Sequence, residues 1–240
     1  MVGTGPGNIE HLSARALRAL KEAGVICGYK TYLELIYHVV EGKEIISTGM
    51  TREVERCCAA IQRAREGEKV ALISSGDPGV YGMAGLALEL LQRENLLGQV
   101  EVEIIPGITS ATAAAALLGA PLMHDFVVVS LSDLLTPWEV IEKRLTLAAQ
   151  GDFVVVLYNP ASHKRKTQIS RARELLLQHK KAGTPVGIVY KAYRDGQNVI
   201  ITDLEHMLNH PIDMFSIVII GNNQTRRMGN FLVTPRGYEL

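Results

Sequence analysis

"SSGDPGVYGMAG", residues 74–85, lies between an apolar run at 70–73 and another at 86–91. A strand, a glycine-rich turn and a helix form the usual layout for holding a nucleotide phosphate. The glycines at 76, 79 and 82 spell G-x-x-G-x-x-G, however, where the dinucleotide fingerprint needs G-x-G-x-x-G. Pro78 has no N–H to give to a phosphate, and Asp77 puts a negative charge where an anion would sit. Both features oppose a phosphate and suit a neutral or cationic ligand held at close range by backbone. Taken alone, the stretch reads equally well as a tight turn with no ligand.

Two further loops change that balance. "VGTGPG" at 2–7 again mixes glycines with a proline, Pro6, and "PGITSAT" at 106–112 opens a small-residue helix. The chain has no Gly-Lys-Ser/Thr triplet, and the nearest fragment, "GYKT" at 28–31, has Tyr29 where the glycine would stand. Three such loops at the ends of parallel strands gather on one rim of the sheet. With no phosphate chemistry in any of them, they point to a nucleoside that carries no phosphate.

The rest of the chain reads as α/β. Apolar, β-rich runs at 25–27, 70–74, 102–105, 126–131, 153–158, 186–190, 199–202 and 216–220 alternate with helical patterns such as 14–23, 52–65, 83–94 and 109–118. Ser13 is placed to cap the first helix and Gly24 to close it. Gly119 and Pro121 end the fourth, and the pattern then changes. Beyond Pro185 two strands are separated only by "KAYRDGQN", whose Asp195-Gly196 turn predicts an antiparallel pair. The expected division is a parallel N-terminal domain, 1–120, and a mixed C-terminal domain, 121–240.

Composition narrows the function. Twenty-five basic residues balance twenty-five acidic ones, so the total charge pulls toward neither nucleic acid nor anionic lipid. Cys27, Cys57 and Cys58 have neither a disulfide nor a zinc spacing, the histidines show no metal-ligand pattern, and no metal site is expected. No apolar run is long enough for a membrane span and no signal peptide is visible, which leads to the expectation of a cytoplasmic protein without a membrane or nucleic-acid partner.

"GTGPGN", "SSGDPGVYGMAG" and "IPGITSATAAAALLGAPLMHDF" together resemble the tetrapyrrole (corrin/porphyrin) methylase family, and "SLSDLLTPWEVIEKR", "YNPASHKRK" and "TPRGY" narrow the resemblance to its corrin branch. It runs from residue 2 to residue 240, with one departure: the strand before G-x-G-P-G, several residues long in the family, is here Met1-Val2. The resemblance implies a two-domain class III methyltransferase fold with a parallel N-terminal sheet, a mixed C-terminal sheet and the active cleft between them. It implies S-adenosylmethionine as cofactor, a homodimer, and methylation of carbon 17 of precorrin-3B or cobalt-factor III with ring contraction, in cobalamin biosynthesis. It assigns cofactor contacts to Pro6, Ser75, Gly76, Asp77, Val80, Ser110, Ala111, Asn159 and Gly187, the last two at strand ends. Methylation at another ring carbon and a non-catalytic tetrapyrrole or nucleoside carrier stay open as alternatives.

A precorrin is rimmed with carboxylates, which directs attention to the cations. Ser162 is placed to cap a helix running to His179, with Lys164, Arg165 and Lys166 in its first turn. Cations there oppose the helix dipole, a cost that a bound anion would offset; the other reading is a solvated face. Lys30, Lys191 and Arg194, each just after a strand, are further carboxylate partners. His124 and Asp125 are weak candidates for catalytic proton transfer, since a linker hydrogen bond explains such a pair as well.

Overall fold

The computed structural model describes residues 1–162 and 165–239. The chain forms two compact units, Met1–Ser110 and Ala111–Leu240. The division falls upstream of the Gly119–Pro121 break, so the small-residue helix belongs with the second unit.

The first unit holds a four-stranded parallel sheet in the order β1-β4-β2-β3, made of β1 (Val2–Gly3), β2 (Val25–Tyr29), β3 (Glu44–Thr48) and β4 (Val70–Ser74). Alternation sends Ile26, Ala71 and Ile73 to one face and Val25, Cys27 and Leu72 to the other. Helix α1 (Ala14–Glu22) covers the first face through Ala16 and Leu20, beside α2 (Lys30–Leu35) and α3 (Tyr37–Val40). Helices α4 (Glu53–Arg65) and α5 (Ala84–Arg93) cover the second through Cys57, Ile61, Ala87 and Leu90. Ser13 caps α1 as expected, its hydroxyl accepting the Ala16 amide at 3.0 Å.

The expected strand at 102–105 does not form. Only Ile105 pairs, with Val2. Met1 adds one further contact to this segment, its ammonium group donating to the Glu103 carbonyl at 2.6 Å. Burial holds the pKa of that ammonium below its usual value.

The second unit opens with α6 (Ser110–Leu118) and β5 (Gly119–Ala120). A five-stranded sheet follows, from β6 (Phe126–Ser130), β7 (Val154–Tyr158), β8 (Pro185–Tyr190), β9 (Asn198–Asp203) and β10 (Ser216–Ile220), in the order β6-β7-β10-β8-β9. Strands β6 and β7 are parallel, and β10 is antiparallel to both β7 and β8. It follows that β8 runs in the same direction as β6 and β7. The β8–β9 pair is antiparallel, as the Asp195-Gly196 turn predicts. Helices α7 (Trp138–Gln150) and α8 (Gln168–Leu177) cover one face through Ile141, Leu145, Ala172 and Leu176. Helix α6 covers the other, with a small sheet in which β12 (Phe231–Val233) lies between β11 (Arg226–Met228) and β5.

Helix α8 begins later than expected. Thr167 stands at its N-cap position, so Arg165 and Lys166 precede the helix and do not occupy its first turn; Lys164 lies outside the described residues. Ser162 does not cap the helix: its hydroxyl accepts the Arg165 amide at 3.1 Å, and its amide donates to the Arg165 carbonyl at 2.9 Å. A serine bonded to a nearby amide outside a helix and a serine N-cap share one sequence signal, and the N-cap position goes to Thr167.

Candidate active site

Parallel strands bring their C-terminal ends to one rim, and in the first unit that rim is built from glycine loops. Beyond β1 and β4 the chain pairs once more, Gly5 with Gly76, through Gly76 N–H to Gly5 O at 2.8 Å and Gly5 N–H to Gly76 O at 3.1 Å. The third loop packs against both. A Cβ on Gly3 would lie 2.6 Å from the Gly107 nitrogen and 2.8 Å from the Gly76 oxygen, and a Cβ on Gly107 would run into that same oxygen. The three loops singled out from sequence are therefore one structure, closed too tightly for side chains at Gly3 and Gly107.

Asp77 holds this structure together. One carboxylate oxygen accepts the Gly79 amide at 2.8 Å, closing its own turn, and the other accepts the Gly107 amide at 3.1 Å, fixing the third loop. Its charge is thus set into the rim among backbone donors. Gly76 has φ +67°, a conformation that favours glycine, but a Cβ there has room, its nearest neighbour being the Thr109 Cα at 3.6 Å. Pro6 and Gly76 are buried, Ser75 and Asp77 half-buried and Val80 exposed. A carboxylate and three prolines in the loops, Pro6, Pro78 and Pro106, with exposed Val80, Tyr81 and Ile108 on them, fit a cationic sulfonium nucleoside and do not fit a phosphate.

The second unit has a rim of its own, where β6, β7 and β8 end together. Asn159, at φ +50°, follows β7 and donates from Nδ2 to Ser130 Oγ at 3.0 Å. Arg165 reaches Ser132 Oγ at 3.3 Å, and Gln168 Nε2 reaches Asp133 Oδ2 at 3.0 Å. These bonds tie the loop after β6 to the loop after β7. Arg165 Nε is buried with no partner among the described residues. Lys191 and Arg194 follow β8 on the same rim. Lys191 Nζ lies 5.2 Å from the Tyr190 ring centroid and 5.9 Å from that of Phe215. Leu134 and Leu135 sit in the loop after β6, Leu135 with 99% of its surface exposed, and Met214 and Phe215 lie just before β10. The start of α6 belongs here too, because the buried Tyr158 hydroxyl at the end of β7 accepts the Ala111 amide at 2.7 Å.

Not every assigned residue lies on a rim of this kind. Gly187 is inside β8, not at its end, and the Leu118 side chain of α6 fills the space a side chain would need; packing accounts for this glycine. His124 and Asp125 stand before β6, at the far end of that strand from Ser130. His124 Nδ1 accepts the Asp125 amide at 2.9 Å, a local turn contact. Lys30 opens α2 on the first unit's rim and is exposed. Sequence reasoning passed over Tyr158, Ser130 and Ser132; for Tyr158 and Ser130 a polar residue at the end of a strand was the available signal, and Ser132, past the end of β6, carried none. Among the described residues no group of three or more His, Cys, Asp or Glu side chains could hold a metal, and no helix is long and apolar enough to cross a membrane.

The model of the tetrapyrrole (corrin/porphyrin) methylases matches residues 1–208. The chain belongs to this family. This methylase is 51% identical over 240 residues to the probable cobalt-factor III C(17)-methyltransferase of Salmonella typhimurium, covering 100% of this chain and 99% of that one. It is equally, 51%, identical to the cobalt-factor III methyltransferase of Priestia megaterium, but spans only 45% of that longer protein. Among solved structures it superposes on the methyltransferase CobJ with a TM-score of 0.91 at 37% identity, over 98% of each chain. The methylase is an α/β protein of the corrin-methylating branch.

Proposed function

We propose that this methylase transfers a methyl group from S-adenosylmethionine to carbon 17 of cobalt-factor III, or of its metal-free counterpart precorrin-3B, with contraction of the ring, as a cytoplasmic homodimer in cobalamin biosynthesis. Cobalt, where present, belongs to the substrate. The observation that carries the reading is the closure of three glycine loops on the Asp77 carboxylate. A solved relative at 26% identity, the uroporphyrin-III C-methyltransferase of Thermus thermophilus, is described as complexed with S-adenosylhomocysteine. When bound, S-adenosylmethionine supplies an electrophilic sulfonium methyl group. The chain's own residues orient and exclude water; no strong side-chain nucleophile is required, because the nucleophile is a ring carbon.

Pro6, Ser75, Gly76, Asp77, Val80, Ser110, Ala111 and Asn159 hold the cofactor, while the cations of the second unit's rim receive the substrate. Arg165, Lys166, Lys191 and Arg194 lie in loops that end the strands of the same rim as those carrying exposed Leu134, Leu135 and Phe215, and a macrocycle with an apolar face and a carboxylate edge complements that mixture. Free thiols at Cys27 and Cys57, pushed up by burial to about 12 and about 11, agree with a reducing compartment. The deciding experiment incubates the protein and S-adenosylmethionine with cobalt-factor III and with precorrin-3B in parallel. Release of S-adenosylhomocysteine with a product one methyl heavier supports the reading; binding of both ligands without methyl transfer identifies a carrier instead. Light scattering on the purified protein tests the dimer.

A further inference from the structure

Arg56 is a buried cation in the first unit that packing alone does not explain. It lies on the inward face of α4 beside Cys57, Ala60 and Ile61, with only 4% of its surface exposed. Among the described residues no carboxylate pairs with it. Its partners are neutral: Nε donates to Thr48 Oγ1 at 2.8 Å, one terminal nitrogen to the Gly49 carbonyl at 3.0 Å, and the other to the Met83 sulfur at 3.7 Å. The guanidinium carbon lies 5.9 Å from the centre of the Tyr29 ring. Withdrawing an ion from water without a counter-ion is costly, and replacing buried charges by apolar groups of similar volume is often neutral or stabilising. Stability alone therefore favours a methionine or leucine at this position.

The partners share a location. Thr48 ends β3, Tyr29 ends β2, and Met83 closes the glycine loop that follows β4. A planar fork of five donors can engage several acceptors in fixed directions, which an ammonium on a flexible stem cannot do. We propose that Arg56 is a positioning residue for methyl transfer: its guanidinium locks the exit of the 75–83 loop, at Met83, to the ends of β2 and β3, and so holds the cofactor loop in its binding geometry. This rests on the reading of that loop as the S-adenosylmethionine site.

The test measures S-adenosylhomocysteine affinity by calorimetry, the Tm, and the KM for each substrate. Arg56→Met is expected to keep or raise the Tm while weakening S-adenosylhomocysteine about ten-fold or more. KM should rise for the methyl donor and stay the same for the tetrapyrrole. Arg56→Lys, which keeps the charge but loses the fork, should fall between. A folded Arg56→Met protein with wild-type affinity overturns the proposal. Should Arg56→Met not fold, wild-type affinity in both Arg56→Lys and Thr48→Val overturns it. Gly107→Ala separates the two readings. If it loses the ligand while Arg56→Met keeps it, the loop is the site and Arg56 only packs. If both bind normally, the loop reading itself fails and takes the proposal with it.

Discussion

Two glycines of the rim look alike in sequence and differ in what they forbid. At Gly107 the obstacle is space, since a Cβ would meet the Gly76 carbonyl oxygen and the Gly3 backbone, neither of which can move without opening the loops. At Gly76 it is conformation, since φ is +67° while the space beside it is open. Gly76→Ala should therefore cost about 1–2 kcal/mol of stability, the price of a left-handed non-glycine residue, and leave much of the cofactor affinity intact. Gly107→Ala should abolish measurable S-adenosylhomocysteine binding, because the three loops can no longer close. Thermal unfolding and calorimetry on both variants decide the order, and equal affinities would remove the distinction. Asp77 shows the limit of sequence at this scale. Its charge was legible as hostile to phosphate, but its bonds to Gly79 and Gly107 were not, because the second partner is thirty positions away in the chain.

Elements were legible where they were long and flanked by good signals. Helices α1, α4, α5 and α6 and strands β4 and β10 lie within a residue of their expected bounds, while β2 runs two residues past its expected end. Strands β1, β5, β11 and β12, of two or three residues, carry no period to detect. Strand β3 was missed because it lies at the sheet edge with most of its side chains outward, so the alternation that marks a half-buried strand is weak. Lys180 illustrates how an element boundary acquires chemistry. Just past α8 it turns inward, and its Nζ donates to the Phe153 carbonyl at 2.9 Å and the Gly221 carbonyl at 3.0 Å, with Asp152 at 3.4 Å. It thus ties the start of β7 to the end of β10. Burial holds its pKa below the usual lysine value. Between that depressed pKa and the unfolded value of about 10.4, the unfolded chain binds more protons than the folded one, so this group's contribution to stability rises with pH. Urea unfolding from neutral pH upward should show a rising component in the wild type that Lys180→Met lacks. Parallel profiles for the two proteins would remove Lys180 from the pH dependence.

At the scale of the whole molecule the charges cancel, 25 against 25, so no long-range field draws in a polyanion. Any salt dependence of tetrapyrrole binding must then arise locally, and the second unit's rim is where topology collects Arg165, Lys166, Lys191 and Arg194. Sequence pointed to Arg165 and Lys166 through a place in the first turn of the helix that they do not occupy, since both precede α8. The structure supplies a different reason for Arg165: Nη1 is anchored on Ser132, while Nε is buried with no partner among the described residues. A charge-assisted hydrogen bond to a substrate carboxylate is worth about 1.5–3 kcal/mol. Changing Arg165 and Lys166 together to Ala should therefore weaken tetrapyrrole binding about ten-fold or more and flatten its dependence on salt, which screens exposed charges. S-adenosylhomocysteine affinity should be unchanged. Binding titrations at low and high salt measure each quantity. Wild-type affinity and salt response in the double variant would make these two cations a solvated edge and shift the carboxylate contacts to Lys191 and Arg194.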